Sequence, residues 1–145
     1  MPDVRPLSRI RSYAAIALVS IRYVDGDNAF RRQLAAWYDE ALANVPGIDR
    51  VPVPAACESA RHLYQVMVDR RDEVMAALNE RQIFPGVHYR DNALYAMYAD
   101  QPPCPRARRA SERLISLPLH VRLDRADVMR VAETLSAIVA RGQPA

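Results

Sequence analysis

The pair of residues in this sequence best suited to chemistry is a histidine beside a tyrosine. They stand in QIFPGVHYRDNALY, residues 82–95, where a Pro85-Gly86 turn precedes Val87, His88 and Tyr89. An imidazole exchanges protons near neutral pH, and a phenol both donates and accepts hydrogen bonds. Two more histidines, His62 and His120, lie at other short β-competent runs. No HxxxH spacing or cysteine pair accompanies the three, so no metal site is expected. Cys57 and Cys104 stand outside any CxxC and read as reduced, incidental thiols. Arg106, Arg109 and Arg113 fall on one face of a helix, with Arg108 beside them. Such a stripe is a candidate for binding phosphate or nucleic acid. The net charge is only +3, acidic residues are spread along the chain, and no aromatic residue interleaves with the stripe. A solvated helix face is therefore the preferred reading. Ser111 and Ser116 sit in ordinary helix and strand contexts without a GxSxG elbow, so Ser-His-Asp chemistry has no support.

One residue type is missing. All twenty basic residues are arginine, and lysine does not occur in the 145. A mutational bias toward arginine and alanine codons accounts for the pattern's origin, but the chemical consequence stands. Without an ε-amine the chain cannot form the internal Schiff base of a pyridoxal-phosphate enzyme. It also lacks a P-loop lysine and a glycine-rich phosphate cradle.

The elements that must position these residues are legible from periodicity. The length suits one domain with a real core; half the residues are hydrophobic and 26% charged. No apolar run is long enough to span a membrane, and the N-terminus lacks a clean signal core, so a cytoplasmic location is expected. Residues 1–11 read as an irregular lead-in and 141–145 as a tail, with a single domain over 12–140. The Ala-rich stretch from Ser12 is helical and apolar. Phe30, Leu34, Trp37 and Ala41 form a second helical stripe with Asn28 as a candidate cap, and Trp37 is expected at least half buried on it. Either two helices meet at Gly26 or one long helix kinks there. HLYQVMV, residues 62–68, alternates as a strand. Asp69 should cap the next helix, with Asp72 at its third position and Val74, Ala77 and Leu78 facing inward. Val-His-Tyr begins a second strand, and residues 91–105 form a loop with a helical turn near Leu94 to Tyr98. Pro105 opens a further helix, LISLPLH is a third strand, and Asp124 caps a last helix carrying Val128, Val131, Leu135 and Ile138. Strand and helix alternate over short spans, which predicts an α+β fold with a three-stranded sheet and helices on one face.

Taken together, SARHLYQVMVDRRDEVMAALNERQIFPGVHYRDNALYAMY and SERLISLPLHVRLDRADVMRVAETL resemble the C-terminal, small domain of the DegT/DnrJ/StrS family of nucleotide-sugar aminotransferases. SYAAIALVSIRYVDGDNAFRRQLAAWYDEAL looks like the long helix that leads from that family's large domain into the small one. The resemblance implies a type I pyridoxal-phosphate fold, working as a homodimer on nucleotide-linked keto-sugars. It also implies that the cofactor pocket and the Schiff-base lysine belong to a large domain absent from these residues. LSRIRSY stands where the family has an Asn-Tyr-Arg element, so no phosphate contact is carried over there. His88 and Tyr89 match positions on the sugar-nucleotide side of the cleft, and His120 matches the strand end behind it. The expectation is a small domain inactive by itself that binds no cofactor alone. A separate lysine-bearing large domain, a nucleotide sugar, or a second copy held through the helix from Ala14 to Ile21 are the expected partners.

Overall fold

A computed structural model describes residues 5–98, 100 and 102–142, with side chains from Arg11 onward. It places three strands in one antiparallel sheet, ordered β1 (Ile48–Arg50), β2 (Tyr64–Val68), β3 (Leu114–Leu117). The described residues also form five α-helices: α1 (Arg5–Ser20), α2 (Val24–Ala41), α3 (Arg71–Asn79), α4 (Pro105–Arg113) and α5 (Arg125–Arg141). This is the α+β arrangement that the element pattern predicts.

Alternation along β2 sends Tyr64, Val66 and Val68 into the core and turns Gln65 and Met67 to the opposite face. The core is closed by Leu34, Tyr38 and Leu42 of α2, Val74 and Leu78 of α3, and Val128, Val131, Leu135 and Val139 of α5. Phe30, Trp37 and Ala41 pack on its margin, with Trp37 more than half buried as expected, and Tyr38 is the fully buried aromatic of α2. The Tyr38 and Tyr64 rings stack with centroids 4.7 Å apart. Each buried phenol keeps a partner: Tyr38 donates to the Pro118 carbonyl (2.9 Å) and Tyr64 to Asp39 Oδ1 (2.8 Å). The Asp124–Asp127 capping box forms in full, and Pro105 occupies the first turn of α4 as expected.

Five local expectations are corrected. Helix α1 begins at Arg5, inside the stretch read as irregular, because a proline in the first turn forfeits an amide that has no intrahelical partner anyway. The break between α1 and α2 falls at residues 21–23, not at Gly26, which lies within α2 beside Asp25 and Asp27. Those carboxylates favour a helix start there through the helix dipole. Asn28 is consequently interior and accepts from Arg31 Nη1. Asp69 does not cap α3: Arg70 holds the cap position at φ 51° without a side-chain cap, and the Asp69 carboxylate pairs with Arg113 (2.8 Å) instead. Val-His-Tyr forms no strand. Only Gly86 pairs, exchanging two backbone hydrogen bonds with Ser116 on the free edge of β3. The third strand is Ile48–Arg50, too short to show a period.

Candidate functional site

After Gly86 the chain leaves the sheet edge, and side chains take over from the ladder. The Gln65 amide donates to the His88 carbonyl, and His88 Nδ1 lies 3.0 Å from the Ser116 hydroxyl. Gln65 and Ser116 are direct partners across β2 and β3. Both Ser116 backbone groups point outward to Gly86, so toward β2 the pair is of the non-hydrogen-bonded kind, in which side chains stand closest. The His88 ring folds back over Gly86, where an added Cβ would sit 2.6 Å from Cε1, so a larger residue there would displace the ring. Tyr89 meets the imidazole edge-on at 5.3 Å and is 72% exposed.

Tyr89 opens onto a groove of about 570 Å³ lined by Arg90, Asp91, Tyr98, Cys104, Ser111 and Leu114, among others. The groove floor is built locally. Asp91 caps the Asn92–Leu94 turn through Ala93 N (3.0 Å), while its own amide donates to the buried Ser111 hydroxyl (2.8 Å). That turn and a second, Ala96–Tyr98, are the helical turn expected in this loop.

The three histidines do not converge. His62 is exposed, and His120 lines a different groove beside Phe84, Pro118 and Arg130, with Nδ1 accepting from the Arg122 amide (3.3 Å). Among the described residues no group of three or more His, Cys, Asp or Glu gathers as a metal site, and no helix is long and apolar enough to cross a membrane. Cys57 and Cys104 are free and exposed. The arginine stripe divides. Arg106 and Arg109 are exposed on α4, and Arg108 pairs with Glu112 (3.1 Å). Arg113 is held between Asp49 of β1 and Asp69, each at 2.8 Å, so it ties the sheet to α4.

Two phenols are electrostatically perturbed. Burial pushes the Tyr38 hydroxyl well above its ordinary range, and the Asp127 charge adds to this. Burial raises Tyr64 further, helped by its bond to the Asp39 carboxylate and opposed by Arg50 and Arg61. Both lie in the core and serve packing. Sequence reasoning missed Gln65, Ser116 and Gly86 as the supports of His88. The one available signal was a serine in the middle of an otherwise apolar strand.

Comparison with solved structures is consistent along nearly the whole chain. The chain is similar to the aminotransferase TlmJ from Streptoalloteichus hindustanus, at 31% identity and a TM-score of 0.84. It is also similar to DesV of S. venezuelae, solved in complex with a ketimine intermediate, at 30% and 0.83. Both matches cover 90% of this chain and 36% of the other. The sugar aminotransferase CalS13 from Micromonospora echinospora matches at 27% and 0.79, over 85% of this chain and 34% of its own. The chain thus spans about a third of the length of these structures. Residues 9–136 match the DegT/DnrJ/EryC1/StrS aminotransferase family, and the chain belongs to that family.

Proposed function

We propose that this chain is the small-domain part of a sugar aminotransferase-like protein, inactive alone, with His88 and Tyr89 forming the rim of a cleft completed by other residues. The observation that carries the reading is a lysine-free sequence in a family whose chemistry runs through a lysine. Pyridoxal phosphate, the family's cofactor, does not fit the residues present. No side-chain amine exists to bind its aldehyde, and the groove beside Tyr89 has a single cation, Arg90. The substrate class proposed for the completed site is a nucleotide-linked keto-sugar, with His120 behind the rim rather than on it.

The alternative of a split enzyme is favoured by α1, whose apolar residues are uncovered and could seat a lysine-bearing domain. Without such a domain, a second copy of this chain covers the same helix. A nucleotide-sugar binding module is the third reading, supported by the Tyr89–Tyr98 groove.

The test has two arms. The purified chain is incubated with pyridoxal phosphate and borohydride, then peptide-mapped; no stoichiometric label at an interior residue is expected. The chain is then mixed with the lysine-bearing large domain of a relative and assayed for transamination of a nucleotide-linked keto-sugar. Activity only in the mixture supports the split enzyme, whereas activity of the chain alone overturns the proposal. Nucleotide-sugar binding to the chain alone, by calorimetry, selects the binding module.

A further inference from the structure

His88 is held more tightly than a surface histidine needs to be. Its carbonyl is taken by Gln65, its ring rests on Gly86, and its Nδ1 meets Ser116. Ser116 is 4% exposed, and among the described residues the imidazole is its hydroxyl's only hydrogen-bond partner. Its backbone N–H and C=O are both committed to Gly86, at 2.8 and 2.9 Å. His88 Nε2 has no partner among the described residues, yet it is not among the buried unpartnered atoms, so solvent reaches it.

Donor bookkeeping then decides the tautomer. A hydroxyl offers one hydrogen, and a neutral imidazole offers one hydrogen and one lone pair in the ring plane. If Nδ1 carried the hydrogen, the Ser116 oxygen would have to accept it, leaving the serine's own hydrogen buried without an acceptor. Leaving a buried donor unmade carries its full desolvation penalty. If Ser116 donates to a bare Nδ1, every buried group is satisfied and the ring hydrogen resides on Nε2.

We infer that Ser116 is a positioning residue that locks neutral His88 in the Nε2–H tautomer, so the imidazole meets a ligand as a hydrogen-bond donor. It would recognise an acceptor oxygen, such as a carbonyl, hydroxyl or phosphate oxygen of a sugar nucleotide. The ligand class rests on the rim reading above; the tautomer does not. The preference expected for Nε2–H is roughly tenfold or more, from the worth of an unmade buried hydrogen bond.

The test is a long-range proton–nitrogen correlation spectrum of the ¹⁵N-labelled chain at about pH 8, where an ordinary imidazole is neutral. Nδ1 of His88 should resonate as an unprotonated, pyridine-like nitrogen and Nε2 as a protonated, pyrrole-like one. His62, exposed, supplies an averaged reference, and His120, whose Nδ1 accepts from a backbone N–H, supplies an Nε2–H reference. Ser116→Ala should move His88 toward the averaged pattern, and Ser116→Thr should restore it. A protonated Nδ1 in the parent chain overturns the inference, even if Ser116→Ala fails to fold. Unchanged His88 resonances in a folded Ser116→Ala variant overturn it equally. Failure of the domain-mixing assay leaves these resonances in place, so the two readings fail separately.

Discussion

Helices α1 and α5 are similar in length and both rich in apolar residues, yet they meet opposite fates. In α5 the charged residues Arg125, Asp127, Arg130, Glu133 and Arg141 leave one continuous stripe free, and Val128, Val131, Ala132, Leu135 and Val139 bury along it. In α1 the nine residues from Ser12 to Ser20 carry no charge at all, and Tyr13, Ile16 and Leu18 are each more than 60% exposed. Burial follows the angular arrangement of apolar residues and not their number. A single stripe can be satisfied by one neighbouring layer, which α2, α3 and the sheet provide. An all-round apolar helix needs cover on several sides, and the chain supplies none among its described residues. Helix α5 is therefore an element of the fold, whereas the apolar side chains of α1 stand uncovered among the described residues.

The hardest test of that contrast is a pair of equal truncations. Leu135→Ala, at a fully buried site, should cost about 2–5 kcal/mol in urea unfolding. Leu18→Ala, 67% exposed, should change stability by no more than about 0.5 kcal/mol. Equal costs would mean that α1 packs on the domain after all.

A second test addresses the core that α5 helps close. The Tyr38 and Tyr64 phenols are raised above the ordinary value of 10.0, so the folded state holds their protons more tightly than the unfolded state does. Their contribution is fully present below about pH 10 and is lost as pH rises beyond it, when the unfolded phenols ionise first. The loss should reach about 2.7 kcal/mol per pH unit for the two together, at about 1.36 each. With no lysine to titrate in the same window, alkaline urea melts report these tyrosines with little interference. Tyr38→Phe should roughly halve the slope; an unchanged slope would place the titration elsewhere.

The smallest effect on stability carries the most information about α1. Leu18→Glu should leave the unfolding midpoint within about 0.5 kcal/mol of the parent and shift sedimentation at micromolar concentration from dimer toward monomer. A parent chain that stays monomeric as concentration rises would remove self-association from the account and leave the docking of another domain.

Legibility followed the same division between local and distant causes. The Asp124 cap, Pro105 at the start of α4 and the alternation within residues 62–68 each complete themselves within a few residues, and each appears as read, with Asp127 closing a capping box at Asp124. The supports of His88 did not show, because Gln65, Gly86 and Ser116 come from three separate segments. Arg113 looked like part of a surface stripe because Asp49 lies 64 residues away in sequence.

By itself the sequence determined the α+β class, the helices with their own caps, and the absence of any side-chain amine. These depend on residue identity and on spacing within one or two turns. Tertiary structure alone decided that Asp69 serves Arg113 instead of α3 and that Ser116 meets His88. Each of those outcomes is a competition for one partner among groups far apart along the chain. Such competitions are settled only when packing of the core brings the rivals within hydrogen-bonding distance.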